Sequence, residues 1–181
     1  MIENKPPLKL DVKHAAQSSW RAEGHDLLSN YERLMTEVQG SDGQTPLHWT
    51  AFTELRTNQA GTLSPWLHLT VATTLPQTCQ RCLGPVDVAV QIDRTFRFVE
   101  SEAVAEQEDD ESEEDVLVSS REFDLSALIE DEVLMDLPLV PRHAHCPVSV
   151  QLAAADPDFD GPSEKPNPFA MLAQLKGKDG G

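Results

Sequence analysis

Between residues 86 and 98 the chain alternates between outward and inward positions. Val86, Val88, Val90, Ile92, Phe96 and Phe98 form one row, set against Asp87, Gln91, Asp93 and Arg97. A period of two is that of a β-strand, because successive side chains leave a strand on opposite faces. An apolar row on one side only implies an antiparallel sheet with one covered face. Arg94 falls in the apolar row, which predicts a bulge or a strand end there. Two earlier stretches share the period. Leu47, Trp49, Ala51, Thr53 and Leu55 alternate with His48, Thr50, Glu54 and Arg56, and Leu67, Leu69, Val71 and Leu75 make a third row.

The rest of the chain is punctuated for helices and loops. Asp11 is placed to cap a helix running to about residues 20–22, with Gly24 to end it. Leu27, Tyr31, Leu34 and Val38 have helical spacing, and residues 39–43 are a turn-rich connector. Asp124 is the strongest N-cap, with Phe123 and Leu128 set for a hydrophobic staple, and Pro138 stops that helix after Leu137. The fold class expected is α+β: an antiparallel sheet, a packed C-terminal helix and short N-terminal helices. A single domain over 1–152 would contain an acidic loop at 100–115. A Pro/Gly-rich tail over 153–181 would carry one short apolar patch at 168–176.

The formal charge is −17, which disfavours a simple electrostatic grip on a phosphate backbone. Ten of the sixteen residues from 100 to 115 are Asp or Glu, and the remainder of the chain is still at −7. Such a run suits a solvated loop. No apolar stretch has the length of a signal peptide or a membrane span. Three cysteines do not suggest a disulfide framework. A reducing cytoplasm fits that usage.

Those cysteines define the candidate site. Cys79-x-x-Cys82 lies in a ten-residue connection from Pro76 to Pro85, and His143-x-x-Cys146 has the same spacing. Zinc takes four ligands of these types, and His145 is an alternative to His143. The other readings are a redox dithiol, which wants its first cysteine at a helix N-terminus, and free thiols in a turn. No serine, carboxylate or glycine pattern builds a catalytic constellation, so a non-enzymatic protein is expected. Arg81, Arg94, Arg97 and Arg142, with Trp66, are candidates for a modest RNA-contact patch or for ordinary surface charge.

The residues Cys-Gln-Arg-Cys-Leu-Gly-Pro-Val lead into a strand ending Phe-Arg-Phe-Val-Glu. An acidic stretch follows, then Glu-Phe-Asp-Leu-Ser-Ala-Leu-Ile-Glu-Asp-Glu and Leu-Pro-Leu-Val-Pro-Arg-His. This order resembles the YceD family, the large ribosomal RNA subunit accumulation proteins, over roughly residues 10–150. The later Asn-Pro-Phe-Ala-Met-Leu-Ala-Gln-Leu is similar to proteobacterial members. The resemblance implies a role in synthesis, processing or stability of 23S rRNA and no catalytic residues. Its motif positions fall on Cys79, Arg81, Cys82, Leu83, Pro85, Pro138, Pro141, His143 and Cys146. Some relatives carry a richer cysteine cluster after the position of Cys146, where this chain has Pro147 and Val148. Two modes of action follow: docking of a basic ribosomal protein or assembly factor on residues 100–115, or direct rRNA contact through Arg81 and Arg97. A zinc-binding or thiol redox-sensing module using Cys79, Cys82 and Cys146 is the reading from a different class.

Overall fold

A computed structural model describes residues 8–40, 42–57, 61–109, 112 and 114–148. The expected tail over 153–181 and its patch at 168–176 lie outside the described residues, as do residues 1–7.

The three alternating rows are strands β3 (Pro46–Thr57), β4 (Leu63–Thr78) and β5 (Pro85–Val99). With β2 (Arg21–Leu27) and β6 (Asp115–Val118) they form a five-stranded sheet in the order β2-β3-β4-β5-β6. The first three pairings are antiparallel and β5–β6 is parallel. The sheet is thus mixed at one edge. A separate two-stranded patch joins β1 (Lys9–Leu10) to β7 (Phe123–Asp124).

The apolar row of each long strand is buried on one face: Leu47, Trp49 and Ala51; Leu67, Leu69, Val71 and Leu75; Val90, Ile92, Phe96 and Phe98. Val12 of α1 (Val12–Gln17), Leu34 of α2 (Glu32–Glu37), and Leu125, Ile129 and Val133 of α4 (Leu125–Asp136) complete that core. Asp11 caps α1 by accepting the His14 N–H at 3.1 Å. Asp124 caps α4 by accepting the Ala127 N–H at 3.0 Å. Glu130, nearly buried on α4, accepts the N–H groups of Arg33 and Leu34, which anchors the start of α2.

Several expectations are corrected. The first helix ends at Gln17, and Gly24 is not its cap but a residue inside β2. There it lies directly opposite Trp49, whose indole occupies the space a Cβ would fill. The helical spacing read from Leu27 begins one turn late: Leu27 ends β2, its N–H bonds Asn30 Oδ1, and residues 28–30 form a 3-10 turn before α2. Arg94 causes no bulge, for the pairing of β4 with β5 runs in register from Trp66↔Arg97 to Thr78↔Pro85. Its guanidinium instead reaches toward Asp115 and Glu132 at 3.6 and 3.7 Å. The two strands also extend closer to the cysteines than expected, so residues 79–84 alone make the turn.

The largest correction concerns the acidic run, which is not a loop throughout. Residues Glu102–Asp109 form helix α3, with Ala105 buried. Parallel neighbours need a crossover, and α3 supplies it between β5 and β6. Arg94 faces α4, so Arg97, three residues on, emerges from the opposite face. There it donates to Glu108 of α3 at 2.5 Å and to Ser112 at 2.7 Å. The acidic helix therefore lies on the face that α4 leaves uncovered.

Gly24 gives the sharpest test of the packing. Trp49 Nε1 donates to the buried Asp26 carboxylate at 2.8 Å, and Tyr31 Oη donates to the same oxygen at 2.9 Å. Burial and then the Asp26 charge push the Tyr31 hydroxyl well above its ordinary pKa, which keeps it a donor. A Cβ on Gly24 would sit 2.3 Å from Trp49 Nε1. Gly24→Ala is expected to displace the indole from Asp26 and to lower stability by about 2–4 kcal/mol, read from urea denaturation.

Candidate metal centre

The turn between β4 and β5 closes through Cys79 N–H to Gly84 O and Leu83 N–H to Cys79 O, both at 2.8 Å. Leu83 takes the left-handed conformation that completes it, with φ of 60°. After α4, Pro138 turns the chain back, and Gln80 N–H donates to Pro141 O at 2.8 Å. That bond and the His143 N–H, which donates to Cys79 Sγ at 3.4 Å, bring the second ligand pair to the hairpin tip. The sequence between the two halves holds β5, α3, β6, β7 and α4.

Cys79, Cys82, His143 and Cys146 each offer one donor atom, and the four donors lie within 4.8 Å of one another. Cys79 Sγ is 4.0 Å from Cys146 Sγ, and Cys82 Sγ is 3.4 Å from His143 Nδ1. Ligands about 2.3 Å from a tetrahedral ion stand roughly 3.7 Å apart, so the donors are spaced for one. His143 belongs to the group and His145 does not.

The electrostatics favour a cation. Burial would raise the Cys79 thiol, but the N–H groups of Cys82, His143 and Arg81 point at its sulfur and hold it down to about 5. Cys146 is pushed up, by burial first and then by the Cys82 and Cys79 thiols beside it. A second thiolate beside that of Cys79 is unfavourable unless positive charge is placed among the sulfurs. Four protein donors leave no open position, which is the arrangement of a structural rather than a catalytic ion. The redox reading lacks its usual device, because the turn leads from strand to strand and no helix begins at Cys79.

The remaining candidates are scattered. Arg81 and Arg142 are exposed beside the cluster, and Leu83, Pro85 and Pro138 are exposed near it. Arg97 is buried against Glu108, on strand positions about 40 Å from the turn, and is not available as a surface RNA contact. Trp66 is buried as well, with the Arg56 guanidinium 4.8 Å above its ring. Arg94 and Arg97 point to opposite faces, so the four arginines do not make one patch. Sequence reading missed Glu108 as the partner of Arg97, because its composition marked the whole run as solvated.

The description of the matching family model is "Large ribosomal RNA subunit accumulation protein YceD", and it covers residues 67–176, more than half of the chain. That span holds the cysteine turn and all four donors. The chain belongs to the YceD family. A protein of Haemophilus influenzae, the large ribosomal RNA subunit accumulation protein YceD, is 32% identical over 98% of this chain and 100% of its own length. No solved structure matches. The family is named for accumulation of an RNA and not for a reaction.

Zinc added to the reduced full-length protein is expected to load one ion per chain, measured by elemental analysis after gel filtration. Cys82→Ser should cut retention at least tenfold, since metal-ligand loss removes a large part of the binding free energy. His145→Ala should retain it. Equal loss from both variants would remove the assignment of His143.

Proposed function

We propose that this protein is a non-enzymatic ribosome biogenesis factor of the cytoplasm, needed for synthesis, processing or stability of 23S rRNA. The observation that carries the reading is the family membership, supported by a relative that matches end to end and bears that name. The absence of an open ligand position in the cysteine cluster agrees with a non-enzymatic role. No helix among the described residues is long and apolar enough to cross a membrane. The cluster holds zinc as a structural ion through Cys79, Cys82, His143 and Cys146.

Action through a protein is better supported than a direct grip on rRNA. Arg97 is committed to Glu108, whereas Glu102 and Glu106 of α3 are exposed. These acids present a negative surface to a basic ribosomal protein or assembly factor. A zinc-binding or thiol redox-sensing module is the second reading, and the 4.0 Å approach of Cys79 to Cys146 favours it.

Deleting the gene is expected to lower the ratio of 23S to 16S rRNA and the free large-subunit peak in sucrose gradients, and the wild-type gene should restore both. Unchanged ratios and peaks would overturn the reading. A second experiment separates the modes of action. Changing Glu102 and Glu106 to Gln, with Glu108 kept to hold Arg97, should weaken co-sedimentation with large-subunit precursors at low salt and matter little at high salt. Insensitivity at both salt levels would remove α3 as the docking surface.

A further inference from the structure

The outer face of the cysteine cluster differs in chemistry from the rest of the molecule. It is made by residues 78–86 and 137–148, and these contain no Asp or Glu, in a chain that has 31. Of the seven large hydrophobic residues exposed among the described residues, four lie here: Leu83 at 75% exposure, Leu139 at 101%, Val140 at 56% and Val148 at 57%. The Gln80–Pro141 backbone bond and the Cys82–His143 contact hold the two segments together. Leu83 therefore stands on one side of a junction and Leu139 and Val140 on the other. Arg81 and Arg142 adjoin the two ends of that backbone bond, and neither makes an ion pair among the described residues.

Leu83 carries a further signal. Its φ of 60° is a region where glycine or asparagine is favoured and a bulky side chain is strained. An exposed leucine at that position does nothing for the turn that glycine would not do better. A surface with exposed apolar side chains, arginine and no acids shares the charge depletion and the arginine of the core of a protein interface. Single-stranded RNA could use the Arg and His side chains of this face, but the exposed aliphatics Leu83, Leu139 and Val140 have no counterpart on a phosphate backbone.

We propose that this acid-free face docks a protein segment whose apolar side chains cover Leu83, Leu139 and Val140 and whose Asp or Glu side chains pair with Arg81 and Arg142. The partner's charge is opposite to that of the basic protein suited to α3, so the molecule presents two docking faces of different sign. This goes beyond the rRNA reading and stands on the surface alone.

The test is photo-crosslinking in living cells, with benzoylphenylalanine in place of Leu139 of the full-length chain and the crosslinked peptides mapped by mass spectrometry. The expected product is one protein segment with apolar residues and Asp or Glu at the crosslink. Its yield should fall about fivefold or more when Arg81→Glu and Arg142→Glu are combined. It should recover when the mapped acids of the partner are changed to Lys. Circular dichroism melts of the variants establish that these exposed changes leave the fold intact. Crosslinking to RNA, to a second copy of this chain or to a segment without acids would overturn the proposal. So would a yield that ignores the charge reversal, or one no higher than from a probe at the exposed Thr70. The 23S level in the same strains separates the two readings. Normal 23S rRNA with no crosslink removes this inference and leaves the rRNA role standing, while 23S rRNA that does not depend on the gene removes the rRNA role.

Discussion

The pairing of β4 with β5 is the constraint from which the rest of the structure follows. It runs in unbroken register from Trp66↔Arg97 to Thr78↔Pro85. Register in a strand pair fixes which side chains share a face, and a slip by one residue would send the whole apolar row to the other side. With Leu69 opposite Arg94 and Val71 opposite Ile92, the covered face is settled for both strands. The same register sets where the ladder stops, and so carries the cysteine turn to the end of a long, rigid ribbon. A site at a ribbon tip is held in orientation by the sheet while remaining open to solvent on its outer side.

The ladder also decides how the arginines are used. Alternation sends Arg94 toward Glu132 of α4 and Arg97 toward Glu108 of α3, so each is consumed by a helix on its own face. Glu132 is itself held above its ordinary pKa, by burial first and with the Arg94 charge acting against it. At the tip, beyond the reach of both helices, Arg81 and Arg142 have no acidic partner among the described residues, as Arg21 and Arg121 have none elsewhere. The net charge of −17 is thus an average over surfaces of opposite character. Composition alone hides that separation, and only the placement of Arg81 and Arg142 brings it out.

What was legible in the sequence depended on which physical signal each element uses. The long strands announce themselves through a period of two, and α1 and α4 through capping aspartates whose side chains accept the expected N–H groups. Residues 102–109 send no such signal. Their helix buries little more than Ala105 and is held by one arginine from a strand, a contact with no periodicity to detect. Gly24 misled for a related reason. Glycine marks a helix end and a close packing site equally well, and only the indole of Trp49 distinguishes them. The four donors were readable as two matched pairs, because both have the spacing of a ligand knuckle. Their meeting was not readable, since it rests on the backbone bond between Gln80 and Pro141 and on contacts within the cluster itself, the His143 N–H to Cys79 Sγ among them.

That thin attachment explains what a metal would contribute. Residues 138–146 have no helix or strand and bury little, with Leu139 fully exposed. Fixing nine such residues costs on the order of 9–18 kcal/mol in backbone entropy. The Gln80–Pro141 bond and the His143 N–H to Cys79 Sγ contribute about 1 kcal/mol net each and fall far short of that. A structural zinc ion contributes about 10–16 kcal/mol, which is the right size to offset it. Under the zinc reading the ion therefore does more than decorate the hairpin. It holds the second segment against the first, and without it Leu139, Val140 and Arg142 would have no fixed relation to Leu83 and Arg81. The acid-free face would then exist only in the metal-loaded protein, so metal occupancy and partner docking would rise and fall together.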